Sequence, residues 1–153
     1  MTAEAAMTRP VPRPTPLSAE FWSAAAAGKL VIPCCTDCGA RFFVPEPACP
    51  ACLSRRWSYQ PSAGTGTVYS VTVVHRAPGP GFEVPYVLAV IDLDDGGTLL
   101  SHVVDIAGAE PAKRPEDFAA EVTIGLRVRV DFRELTAEIA LPCFVPDNGK
   151  ATA

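Results

Sequence analysis

The sequence predicts a mainly β protein: a short N-terminal helix, a small metal-clamped ribbon, then a five-stranded closed Greek-key barrel of the OB type. Three observations carry that expectation. Two C-x-x-C pairs stand close together, Cys35–Cys38 and Cys49–Cys52. From Thr67 onward the chain runs in β-branched, alternating segments parted by Pro-Gly and Asp-Gly turns. Five such segments, with one long connection before the fourth, match the strand pattern of a small closed barrel. An open antiparallel sheet is the alternative. With 153 residues, 48% of them apolar, the chain can build one average domain or two small ones.

Residues 1–16 are a proline-rich arm. Pro10, Pro12, Pro14 and Pro16 recur at every second position, which excludes helix and central strand and predicts an extended, mobile segment. A disordered tail and a strap across a partner are both open readings. Leu17 to Gly28 reads as a helix, with Ser18 as N-cap, alanines in its body and Gly28 as its stop. Phe21, Trp22, Ala25 and Ala26 fall on one stripe, so an aromatic face must pack on the domain or on another chain.

The ribbon completes a unit over residues 17–60. Lys29–Pro33 is its first strand, and Arg41–Pro45 is expected to return between the cysteine pairs as the second. So small a unit cannot bury both Phe42 and Phe43, so one should face the next domain or a ligand. Phe21, Trp22, Phe42 and Phe43 are the candidate partner-docking residues.

The barrel occupies residues 61–146. In Thr67–Arg76, Tyr69, Val71 and Val73 share a face; Val87–Leu93 is nearly continuously apolar and should be covered on both sides. Asp94–Gly97 is a hairpin turn leading into Thr98–Asp105. Residues 107–120 form a loop with one helical turn near Glu116–Ala120. Leu126, Val128, Val130 and Phe132 then oppose Arg127, Arg129, Asp131 and Arg133 in clean alternation, and Ile139, Leu141 and Cys143 mark the last strand before a tail at 147–153.

The chemistry concentrates in the cysteines. Each C-x-x-C pair presents two thiolates from one tight turn, and two turns supply the tetrahedral sulfur cage that zinc favours. Gly39 permits the sharp turn of the first pair, and Pro50 stiffens the second. Buried or disulfide-bonded cysteines are the alternative, disfavoured by paired spacing in a chain without secretory features. Cys34 sits beside Cys35; spacing to Cys38 favours Cys35 as ligand, with a swap left open. Four thiolates leave no position for water or substrate, so the zinc would clamp structure rather than catalyse.

Elsewhere no nucleophile elbow, triad or phosphate-cradling glycine loop joins the reactive side chains. The best ligand-contact candidates are His75 and Arg76, at a strand end beside the Pro-Gly loop and Phe82. A nucleic-acid-binding ribbon–barrel module is the alternative function, suggested by the row Arg127, Arg129, Arg133. Against it stand the net charge of −4, the interleaved Asp131 and Glu134, and the lack of alternating aromatics for stacking. No apolar run reaches membrane-spanning length and the N-terminus lacks a basic start before an apolar block, so a soluble, cytoplasmic protein is expected.

One combination of motifs is specific. Phe21-Trp22 on a leading helix precedes C-x-x-C-G, an aromatic segment with Pro45, and C-P-x-C. Then come Gly64–Ser70, Thr72–Arg76, Pro85-Tyr86-Val87 and Leu141-Pro142-Cys143-Phe144-Val145-Pro146. Over residues 17–146 this resembles the acyl-CoA-associated family that joins a rubredoxin-like zinc ribbon to an OB-fold, long catalogued as a domain of unknown function. The resemblance implies a non-catalytic subunit of a hetero-oligomer, serving thiolase-like enzymes such as steroid side-chain aldolases and thiolases, or MaoC-like enoyl-CoA hydratases. It implies one structural zinc on Cys35, Cys38, Cys49 and Cys52, and a CoA thioester as ligand of the complex. No catalytic residue carries over. Cys34, the insertion at 107–120 and the proline-rich arm depart from the family pattern.

Overall fold

The structure, a computed structural model, describes residues 10–79, 81–105 and 114–147. Residues 1–9 of the arm, residues 107–113 of the 107–120 insertion and the tail beyond 147 lie outside the described residues. Helix α1 spans Ala19–Ala26. Its start is organised by Thr15 rather than by Ser18. The Thr15 amide donates to Ser18 Oγ (2.9 Å), while the Ser18 amide donates back to Thr15 Oγ1 (3.3 Å). This reciprocal pairing, in the manner of a capping box, lets the described end of the arm open the helix. Gly28, at φ +71°, closes it: the Lys29 and Gly28 amides donate to the carbonyls of Ala24 and Ala25, the Schellman pattern.

Strand β1 (Val31–Cys35) pairs antiparallel with β2 (Trp57–Pro61), in register from Val31 opposite Pro61 to Cys35 opposite Trp57. The expected partner, Arg41–Pro45, meets β1 only at the bridge between Cys34 and Arg41. The side chains explain why. Phe42 turns into the ribbon against Trp57 (5.8 Å), whereas Phe43 leaves it to pack on Phe21 (5.0 Å), so the backbone peels away after one bridge. The second strand of the ribbon is β2, not Arg41–Pro45.

The remaining strands are β3 (Thr65–Val74), β4 (Tyr86–Leu93), β5 (Thr98–Val103), β6 (Arg127–Thr136) and β7 (Ile139–Pro146), with helix α2 (Pro115–Glu121) between β5 and β6. They close into a barrel in the order β3-β4-β5-β7-β6; β5 and β7 meet parallel at Val103 and Phe144, the other neighbours antiparallel. This is the predicted five-stranded OB barrel. Two details differ from the expected alternation. A bulge between Val68 and Ser70 leaves Tyr69 unpaired and 65% exposed, so the inward set runs Gly66, Val68 and then Val71, Val73. In β4 one face is buried (Val87, Ala89, Ile91, Leu93), but the other is only half-covered.

The main core runs through ribbon, helix and barrel. Phe21, Leu30, Ile32 and Tyr59 belong to the same buried cluster as Val68, Ile91, Val128 and Phe144, and Phe118 from α2 joins it. Among the described residues, no helix is long and apolar enough to cross a membrane.

Candidate metal centre and docking groove

Both C-x-x-C turns are built alike. Gly39, after Cys38, donates its amide to the Cys35 carbonyl (3.0 Å); Leu53, after Cys52, donates to the Cys49 carbonyl (2.8 Å). Both take left-handed φ, +74° for Gly39 and +61° for Leu53. The four thiols converge: Cys35, Cys38, Cys49 and Cys52 Sγ atoms all lie within 4.8 Å of one another. Cys35 and Cys49 are buried, Cys38 and Cys52 exposed. Cys34 stands outside the cluster, its Sγ 3.7 Å from the Gly39 carbonyl, because neighbouring residues of β1 point to opposite sides. The turns are tied together by Asp37, which accepts from Ser54 and from the Arg56 guanidinium (2.6 Å). These two donors, Ser54 first, hold its carboxyl below the usual range.

Cys35 and Cys52 differ in how firmly they hold a proton. The Cys38 amide, with further donors outweighing burial, lowers Cys35 to about 7. At Cys52 the Ser54 amide favours the thiolate, but hydrogen bonding with Cys38, then burial and the other two thiols, push it up to about 12. Four sulfurs this close fit a divalent cation that holds them together as thiolates, and a four-sulfur donor set fits zinc.

Beside the ribbon lies an apolar groove of about 580 Å³. Helix α1 supplies Phe21 and Trp22, the segment after the first knuckle supplies Phe43–Pro45, and β4, β5 and β7 form the floor. Among the described residues, no Lys, Arg, Asp or Glu lines it. Val44 (57% exposed) and Leu100 (66%) stand open to solvent. Of the four aromatic docking candidates, two change role. Phe21 (4% exposed) and Phe42 (7%) are buried in the chain's own core, so they shape the surface from beneath instead of offering it. Trp22 and Phe43 remain half-buried on the groove. The open apolar side chains Val44 and Leu100 escaped the sequence reading. Their signal was slight: an apolar run continuing past Phe43, and a leucine on the outward side of an alternating strand.

The second candidate set is not brought together. His75 and Arg76 are exposed and make no side-chain hydrogen bond or ion pair among the described residues. Phe82 instead packs toward Tyr86 (6.4 Å), whose ring lies 5.0 Å from His102. The arginine row is partly occupied: Arg127 grips Asp94 with both terminal nitrogens (2.6 and 2.7 Å), and Arg133 donates to the Asp105 carbonyl (3.1 Å).

Residues 22–58 match the family described as ChsH2, rubredoxin-like zinc ribbon domain, and residues 59–133 match ChsH2, C-terminal OB-fold domain. The chain belongs to the ChsH2 (DUF35) family. Its structure resembles that of a chain from the "Ltp2-ChsH2(DUF35) aldolase", with TM-score 0.72 and 36% identity, covering 89% of this chain and 98% of that one. It is 40% identical over 127 residues to a "Probable enoyl-CoA hydratase alpha subunit" of Thermomonospora curvata, matching 82% of this chain and 36% of that protein. It is 35% identical over 105 residues to a "DUF35 domain-containing scaffold protein" of Methanocaldococcus jannaschii, matching 66% of this chain and 65% of that one. The chain thus spans about a third of the hydratase subunit's length. Within this ChsH2 (DUF35) chain, the two family regions meet at Ser58 and Tyr59, inside β2, and the shared core crosses that boundary.

Proposed function

We propose that this chain is a non-catalytic accessory subunit that docks on a thiolase-fold acyl-CoA partner of the aldolase or thiolase type. In this reading zinc on Cys35, Cys38, Cys49 and Cys52 clamps the ribbon, and the groove face meets the partner. The observation that carries it is the match along 98% of the ChsH2(DUF35) chain from an aldolase. The uncharged groove, with Val44 and Leu100 open to water, supports it as the kind of apolar surface that marks an interaction site. The partner supplies the nucleophile or base and the CoA thioester is held in the complex. The likeness to a hydratase alpha subunit favours a second reading, a MaoC-like enoyl-CoA hydratase as the partner.

The test is co-expression with thiolase-type and hydratase-type candidates, followed by affinity measurement. Val44→Glu and Leu100→Glu alter exposed positions, so folding and metal content should be unchanged while partner affinity falls at least about tenfold. Unchanged affinity in both variants would refute this face as the interface. Turnover of acyl-CoA by the isolated chain would refute the accessory role. A mobility shift with single-stranded nucleic acid at low salt would revive the binding-module alternative, which the Asp94–Arg127 pairing and the acidic net charge oppose.

A further inference from the structure

The β4–β5 turn, Asp94–Gly97, touches three parts of the chain at once. Asp95 accepts from Ser62 Oγ (3.1 Å) and from the Ala63 amide (3.0 Å), both in the link between ribbon and barrel. Its other neighbour is the Arg41 guanidinium, 3.5 Å away, and Arg41 also donates to the Pro61 carbonyl (3.2 Å). Arg41 and Asp95 are only 20% and 26% exposed, so water competes weakly for the contact. The backbone of Arg41 lies directly on the turn: a β-carbon at Gly97, where φ is +83°, would stand 3.3 Å from Arg41 Cβ. Asp94 anchors the same turn to the barrel through Thr65 (2.7 Å) and Arg127. Arg41 in turn opens the segment that carries Phe43, Val44 and Pro45 into the groove wall.

We infer that this turn is a latch between barrel and ribbon, with Asp95 as its positioning residue. Through Arg41 and the 61–64 link it fixes where the Phe43–Pro45 wall stands, and so sets the shape of the groove presented for docking. The backbone hydrogen bonds of the link run to Leu30 and Val130 and not to the Phe43–Pro45 wall. The link contains Gly64, at φ +71°, and lies outside the named strands, tied at its ends where the Ser62 amide donates to the Leu30 carbonyl (2.9 Å) and the Gly64 carbonyl accepts from the Val130 amide (2.7 Å). Between those ties the Ala63 amide is held by the Asp95 carboxylate, which braces the middle of the link. The inference deepens the docking reading and, for its effect on affinity, rests on it.

Hydrogen exchange by mass spectrometry tests the latch without any partner, and affinity for the partner tests its consequence. In Asp95→Ala, exchange over residues 41–45 and 61–64 should quicken by about tenfold, the effect of losing charge-assisted hydrogen bonds. Zinc content and protection of β4 to β7 should stay as in the parent chain. Asp95→Asn, which keeps an accepting oxygen, should fall between the two and serves if the alanine variant does not fold. Arg41→Ala combined with Asp95→Ala should be less than additive, since both remove one contact. Partner affinity should weaken by about tenfold in Asp95→Ala, or about 1.4 kcal/mol. Unchanged exchange in the two segments would overturn the latch. Faster exchange with unchanged affinity would overturn its role in docking while leaving the accessory reading intact. A parent chain that captures no partner would remove the accessory reading, and the exchange result would still decide the latch.

Discussion

Leu53 holds a conformation that the second zinc knuckle demands and that its own side chain resists. Its φ of +61° is the left-handed geometry that Gly39 adopts without cost in the first knuckle. The side chain is 77% exposed and contributes little packing in return. Leu53→Gly should therefore stabilise the ribbon by about 0.5–1 kcal/mol. A shift of the thermal midpoint upward in the zinc-loaded protein checks it; a downward shift would mean that Leu53 makes a contact worth more than its strain. Tyr59 makes a different prediction. Its hydroxyl donates to the Leu17 carbonyl (2.7 Å), and burial, with the charge of Glu20 second, pushes the phenol up to about 12 from 10.0. The folded state holds this proton more tightly than the unfolded chain, so the contribution is complete below pH 10 and is lost as pH rises toward 12. Tyr59→Phe should cost about 1 kcal/mol near neutrality and flatten the alkaline fall in denaturant midpoint. Parallel pH profiles for the two proteins would sink this account.

The cysteine knuckles have little packing beyond their own thiols. Their own buried cluster is Cys35, Phe42 and Cys49, with Trp57 and Ala40 packed against it, and two of those three buried residues are ligand candidates. Cys49→Ser should abolish binding of one zinc per chain, unpair β1 from β2 and cost several kcal/mol of stability, because Leu30, Ile32 and Tyr59 also belong to the main core. Metal analysis and hydrogen exchange over residues 31–35 and 57–61 measure it; a metal-free variant with that pairing intact would contradict the clamp. The cysteine pairs were legible because ligand spacing is set within one turn of chain. The strand that pairs with β1 was not, because Arg41–Pro45 and Trp57–Gln60 are both short and aromatic. What separated them was where Phe42 and Phe43 go, and that depends on Trp57 and Phe21, residues distant in sequence.

For the molecule as a whole, helix, ribbon and barrel behave as parts of one body. Helix α1 buries Phe21 and Ala25 and packs against β7, β1 and β6, so the aromatic helix face proposed for docking is half consumed internally. What remains outward, Trp22, Phe43, Val44 and Leu100, comes from three separate elements and becomes a single surface only when they assemble. Docking should therefore be lost together with zinc, and weakened by loosening the β4–β5 turn, even though neither feature lies in the groove.

Local chemistry was enough to establish the cysteine knuckles, the barrel strands and the turns between them. Each follows from spacing or periodicity within a few residues: C-x-x-C, alternation at Leu126–Arg133, Asp-Asp-Gly-Gly. The bulge at Tyr69, which reverses half a strand, and the cap at Thr15 depended on partners that periodicity does not register. The assembled structure alone decided which aromatics are buried, which strand completes the ribbon, and where an open apolar groove remains. The physical reason is that burial is a property of neighbours: Phe42 and Phe43 are identical and adjacent, and only the ring each one meets makes one of them core and the other surface.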